Sequence, residues 1–222
     1  METAALADEL VLLAYDDSGA TWTVGDYLDY GVAGALLLQL ALAGRLEVRD
    51  DRLVVADPAP TGDAAADAVL RRLAGDPART PSAWIPVLAR GARQPILDRL
   101  VEAGVLRREQ GKVFAVFSRT RYPAPGGVEP AAERDTRQRI RAAVEGSGPV
   151  EPRTAALCAL LSALGWERQV LPDLPADLVK ARMKELGAQP WAGAAVQQAV
   201  VDVQLAVLAA MMLVVNLDSP TD

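Results

Sequence analysis

The sequence predicts a mainly α single globular domain, with apolar central helices surrounded by further helices and short β-hairpins. Three observations predict it. Apolar residues make up 51% of the chain and aromatic residues 5%, a balance that suits close-packed helices better than an aromatic-rich sandwich. Most segments repeat their apolar residues at helical spacing. Two others read as strand, charged turn and strand.

The elements follow in order. "LADELVLLAYDD" is a helix with Leu6, Leu10 and Leu13 on its apolar side, stopped by "DDSG". "TVGDYLDYGVAGALLLQLALAGRL" is a long helix entered near Asp26 and ended at Gly44. Apolar residues cover its circumference from Val32 to Leu42, so it belongs at the centre. The glycines of "GVAG" in this helix mark a close approach of neighbouring helices. "RLEVRDDRLVVAD" is a hairpin turning at Asp50 and Asp51. "PTGDAAADAVLRRLAG" is a helix, with Thr61 read as its N-cap and Asp63 favouring the positive end of the dipole. "TPSAWIPVLARGARQPILDRLVEAGVL" holds one or two helices, broken near Gly91 and Pro95. "RREQGKVFAVFSRTRYP" is a second hairpin and "PGGVEP" a loop. "AAERDTRQRIRAAVEG" is a helix with one basic face, "PRTAALCALLSALG" a buried helix, and "PADLVKARMKELGA" an amphipathic one. "AVQQAVVDVQLAVLAAMMLVV" is the last helix. The single domain is placed at residues 1–217, with 218–222, "DSPTD", as a disordered tail.

The composition removes several kinds of chemistry. There is no histidine and one cysteine, Cys158, within an apolar run. Ser-His and Cys-His catalysis, zinc-histidine sites and disulfide frameworks are excluded. Phosphate-loop and dinucleotide glycine patterns are absent. Acidic pairs such as Asp63 and Asp67 stand without a nucleophile and read as solvated helix-start charges. The expectation is a protein that is not an enzyme and uses no cofactor or metal. "METAALADELVLLAYDD" lacks the basic region of a signal peptide. The segment from Leu205 to Val215 is too short for a bilayer span, which needs about 20 residues, and reads as a buried core helix. A reducing cytoplasm is the expected location.

Net charge is −6 but unevenly spread. Residues 1–76 hold 14 acids and 5 bases, whereas residues 90–141 hold 12 bases and 6 acids. Arg90, Arg93, Arg107, Arg108, Lys112, Arg119 and Arg121 gather around the second hairpin. Guanidinium groups take phosphate oxygens in pairs, and two at a spacing of three on a helix can share one phosphate. Between these bases "VFAVF" is apolar on both strand faces, suiting either core packing or contact with something apolar. Helix, glycine, turn and hairpin also fit a winged-helix DNA reader, but the chain is acidic and the residues between Arg93 and Arg99 are mostly apolar.

"DYGVAGALLLQLALAGRL", "APTGDAAADAVLRRL" and "LVEAGVL" before a hairpin stand in an order and spacing that resemble the Golgi phosphoprotein 3 family. "LADELVLLAYDDSG" and "VDVQLAVLAAMM" extend the likeness over Leu6 to Leu213. The composition suggests a prokaryotic relative. The resemblance implies a helical domain around a central apolar bundle, and a peripheral membrane adaptor that binds phosphatidylinositol 4-phosphate and recruits protein cargo. It places the two headgroup arginines on Arg90 and Arg93, and a membrane-dipping hairpin on Lys112, Val113 and Phe114 and their neighbours from Glu109 to Phe117. The family's headgroup tryptophan and helix arginine fall on Val24 and Ala33, with Trp22 close to the first. The implied partners are an anionic phospholipid or phosphoinositide surface and protein cargo, with no nucleic acid. The alternative is a soluble protein-interaction or DNA-binding module without lipid binding.

Overall fold

The computed structural model of the chain describes residues 4–23, 26–113, 117–188 and 194–217, with the side chains of all of these except 112, 113, 117–119, 194, 195 and 213–217. Val24, Phe114 and the tail 218–222 lie outside the described residues. The chain is 62% helical, with two small antiparallel hairpins, as a mainly α fold requires.

The centre is α2 (Tyr27–Leu42). From Val32 to Ala41 every residue but Gln39 is buried. It is packed by α1 (Leu6–Leu13), α4 (Pro81–Ala89), α7 (Pro152–Leu164) and α10 (Ala194–Leu217). Gln39 is the one polar break in this run, and its Oε1 accepts from the backbone N–H of Leu6 at 3.1 Å. The central helix thus satisfies an orphan donor at the start of α1. Gly34 lets α7 and α10 approach: a Cβ there would meet Val207 at 2.8 Å and Leu160 at 3.1 Å. This is the close approach expected of "GVAG".

The first hairpin pairs β1 (Leu46–Arg49) with β2 (Arg52–Val55), Arg49 opposite Arg52. Asp50 and Asp51 between them both have positive φ, 49° and 59°, the backbone of a two-residue turn matched to strand twist. Helix α3 (Ala64–Gly75) begins differently from the expectation. Asp63 is its N-cap, accepting from Ala66 N–H at 2.8 Å, while Thr61 donates to Asp67. A carboxylate two residues nearer the helix wins the cap because its oxygen reaches the third N–H directly.

Thr80 caps α4, and Pro81 follows at the first turn, where its missing N–H costs nothing. Helix α4 ends at Ala89 and α5 (Arg93–Glu102) begins four residues later. The break falls at Gly91, whose φ of 77° is left-handed. Pro95 does not break the chain; it is the third residue of α5, where its N–H has no intrahelical acceptor. Strands β3 (Glu109–Val113) and β4 (Phe117–Arg121) form the second hairpin, and a 3-10 turn covers Pro125–Gly127.

Helix α6 (Ala131–Glu145) departs from the single basic face expected of it. Arg137 binds Glu129 and Glu133, Arg139 reaches Glu9 on α1, and Arg141 pairs with Asp173. Spaced two apart, these three side chains diverge around the helix and serve three neighbours. A short α8 (Glu167–Val170), not anticipated, links α7 to α9 (Ala176–Ala188). On α10, Val203, Ala206, Val207 and Ala210 are buried but Leu205, Leu208 and Met212 are exposed. The segment is therefore half core and half surface, not wholly buried as read from its composition. No helix among the described residues is long and apolar enough to cross a membrane.

Candidate anion-binding site at the α4–α5 break

Arg90 and Arg93 do not share a helical face. Arg90 is the C-cap of α4, in extended backbone, and Arg93 is the first residue of α5. The left-handed Gly91 between them turns the chain, so the spacing of three no longer means one turn of helix.

The two arginines have different surroundings. Arg90 is exposed and has no hydrogen bond or ion pair among the described residues. It lines a cavity of about 420 Å³ with Leu36, Val69, Leu88, Pro95 and Asp98. Asp98 in turn pairs with Arg108, just ahead of β3. Arg93 is half-buried and lies 3.1 Å from Asp29 in the first turn of α2. Burial pushes the Asp29 carboxyl above the usual carboxylate range, against the lowering effect of Arg93. The Tyr15 hydroxyl is raised in the same way, again with Arg93 opposing.

The base of the second hairpin is anchored here. Tyr122 stacks edge-on against Tyr15 at 5.8 Å, and the Arg108 guanidinium sits 5.8 Å from the Tyr122 ring. Arg107 and Arg121 are exposed. Lys112 pairs with Ser118 and Val113 with Phe117 through the strand backbone. Their side chains, and Phe114 entirely, are outside the described residues.

Two further positions follow from the same geometry. Ala33, where the family has a cation, is fully buried in the core. Trp22 does not replace the missing tryptophan beside Arg90. Its indole N–H donates to the Leu13 carbonyl, its ring packs on Trp166 at 4.6 Å, and it lines a separate cavity along α6.

Sequence reasoning missed the acids that meet these cations. Asp8 and Glu9 are buried in α1, and Asp63 is nearly so. Arg99 of α5 binds Asp8 at 2.5 Å and Asp63 at 2.7 Å. Asp63 is thus a buried partner, not a solvated helix-start charge. Burial raises the Asp8 and Glu9 carboxyls, with Arg99 opposing for the first and Arg153 and Arg139 for the second. With Arg93 and Arg99 committed to internal acids, α5 offers no basic face to a DNA groove. A signal was available: Asp29 stands one turn before Val32 and Ala33, on the stripe that the core buries. Burial pushes the Cys158 thiol up to about 12, and no group of three or more potential metal ligands occurs among the described residues.

The structure is in class a mainly α domain built on a central apolar helix, with two small antiparallel hairpins. The chain belongs to the Golgi phosphoprotein 3 (GPP34) family, whose sequence profile matches residues 6–203. It is similar to vacuolar protein sorting-associated protein 74 of Eremothecium gossypii, 30% identical over 146 residues. That match covers 54% of this chain and 44% of the relative, so the chain spans less than half the relative's length.

Proposed function

We propose that this chain is a non-enzymatic adaptor that docks peripherally on membranes through an anionic phospholipid headgroup and holds protein cargo there. Family membership supports the class. The observation that carries the headgroup reading is Arg90: an exposed guanidinium without a protein partner among the described residues, on the rim of a cavity tied through Asp98 to the hairpin base. A guanidinium in that state is suited to take phosphate oxygens. Arg93 supplies the second cation, and Lys112, Val113 and Phe114 are proposed to touch the membrane. Each cation at an anionic surface adds on the order of 1 kcal/mol, and each large apolar side chain that inserts adds roughly 1.5–3 kcal/mol. Either contribution alone gives marginal attachment, and the two together give stable docking.

With Ala33 buried where the family has a cation, the site has one charge-assisted contact fewer for a phosphoinositide. That contact is worth about 1.5–3 kcal/mol. Phosphatidylinositol 4-phosphate is therefore expected to be preferred over other anionic lipids by less than about tenfold. Co-sedimentation with phosphatidylcholine vesicles, plain or carrying phosphatidylserine, phosphatidylglycerol or phosphatidylinositol 4-phosphate, tests the reading. Binding to all anionic vesicles and not to plain ones is expected. Equal binding to plain vesicles, or none to any, refutes it.

A further inference from the structure

The N-terminus of α5 is a place where an anion belongs. Its N-cap, Ala92, has no side chain to accept the helix's first N–H groups, and the positive end of the helix dipole lies there. The Arg93 guanidinium adds a full charge. A carboxylate already occupies the position: Asp29 Oδ2 lies 3.1 Å from the Arg93 guanidinium. The Asp29 side chain is 13% exposed, and it comes from another helix, the first turn of α2. The neighbouring ionisable groups are Asp26 at the start of α2 and Tyr15 beyond α1. Among the described residues nothing comparable restrains Arg90 on the other side of Gly91.

We infer that Asp29 is an internal counter-ion that fills the anion position at Arg93 and so sets how strongly the site takes an anionic headgroup. This rests on the reading of Arg90 and Arg93 as the headgroup pair. A phosphate arriving at Arg90 meets a free cation, and at Arg93 it must displace a carboxylate from the guanidinium. Asp29 is thus an affinity-setting residue that weakens binding to all anionic lipids alike.

The test uses the full chain and phosphatidylcholine vesicles carrying phosphatidylglycerol. Asp29→Asn keeps the shape and removes the charge, and Asp29→Ser keeps a short acceptor if the amide misfolds. Either is expected to tighten binding about fivefold, the equivalent of about 1 kcal/mol for a partly exposed ion pair. The gain is expected to vanish in Asp29→Asn combined with Arg93→Ala. Asp26→Asn makes the same change of net charge without touching Arg93, and is expected to change binding less than about twofold. Calorimetric titration with inorganic phosphate locates the gain: present there, the site reads the phosphate group; confined to vesicles, it reads the headgroup in its membrane, and both support the counter-ion. If Asp29→Asn binds as wild type while Arg90→Ala/Arg93→Ala binds more weakly, the headgroup pair stands and the counter-ion is overturned. A lower melting temperature with unchanged binding also overturns it, making Asp29 a structural residue only. If the double arginine variant binds as wild type, the headgroup pair is wrong and the inference falls with it.

Discussion

The cost of breaking the charge cluster under α1 depends on which partner is removed. Glu9 is 1% exposed, and it is held by Arg139 and by Arg153, the latter at 3.0 Å. The arginine side chains are 31% and 25% exposed. Replacing both by methionine keeps most of their stems and strands a carboxylate that water does not reach. Such an uncompensated buried charge costs about 3–5 kcal/mol. Glu9→Gln leaves two cations that water does reach. Arg139 retains the hydroxyls of Thr154 and Thr136, and Arg153 retains the Ala4 carbonyl. That loss is roughly 1–2 kcal/mol. For a chain of this length each kcal/mol moves the melting temperature by about 2–4 °C. Thermal melts should therefore fall by roughly 6–20 °C for the double arginine variant and roughly 2–8 °C for Glu9→Gln. The pH dependence has a definite sign. Burial holds the folded Glu9 carboxyl above its ordinary 4.5, and losing both cations raises it further. The folded state then binds a proton that the unfolded state does not, so the deficit is complete above the folded value and shrinks as pH falls toward 4.5. Melts at neutral pH and at about pH 5 check this. The reasoning is wrong if Glu9→Gln is the costlier change, or if the double variant's deficit is the same at both pH values.

Two glycines in helices should respond to alanine with opposite signs. At Gly34 a propensity gain of about 1 kcal/mol meets overpacking of about 1–3 kcal/mol against Val207 and Leu160, so Gly34→Ala lowers stability in urea titration. At exposed Gly75, near the end of α3, a Cβ meets nothing within 4 Å, so Gly75→Ala raises stability by about 0.5 kcal/mol; a shared sign contradicts the packing described. Arg93→Ala leaves the part-buried Asp29 unpaired and should cost about 1–3 kcal/mol, whereas Arg90→Ala should stay within about 0.5 kcal/mol. Equal thermal shifts for the two would show that Arg93 is not held as described.

The helices were legible because burial leaves a periodic trace. The apolar run of α2, broken only at Gln39, and the glycines of "GVAG" announced a central, closely approached helix, and the structure packs it on several sides. The first hairpin was legible from its charged turn between short apolar runs; the second was legible as a hairpin but not in its turn, because the polar "EQGK" read as the turn lies within β3 and the strands close at Val113 and Phe117. The α4–α5 break was harder, since Gly91 and Pro95 each carry a breaking signal. Only the position of Pro95 within the first turn, where its missing N–H is harmless, decides between them. The site was half legible. The arginines stood out as a cluster in sequence, but their partners lie far away along the chain. Asp29 is 64 residues from Arg93, the difference of the two numbers, and Glu9 is 130 from Arg139. No local pattern reports such a pairing, because it is made by the packing of α1 and α2 against α5 and α6.

Those distant pairs change the meaning of the charge polarity. Residues 1–76 are acidic and residues 90–141 basic, which reads along the chain as one acidic and one basic surface. In the fold, much of that polarity is internal. Arg93 meets Asp29, Arg99 meets Asp8 and Asp63, and Arg139 meets Glu9, joined there by Arg153. Asp8, Glu9 and Asp29 sit on the first and central helices and Asp63 caps α3, where a lone carboxylate would be costly to bury. The arginines reach in from outside with stems along the apolar surface. Arg108 is likewise tied to Asp98, and Arg121 lies close enough to Asp16 to lower its carboxyl. Among the described side chains around the hairpin, Arg90 and Arg107 keep no acidic partner. On the proposed docking, diffuse attraction to an anionic surface from these two is on the order of 2 kcal/mol; the side chains of Lys112 and Arg119 lie outside the described residues. On the proposed reading, docking leans on short-range contacts at Arg90 and Arg93 and on the hairpin, and Asp29 acts on that short-range part.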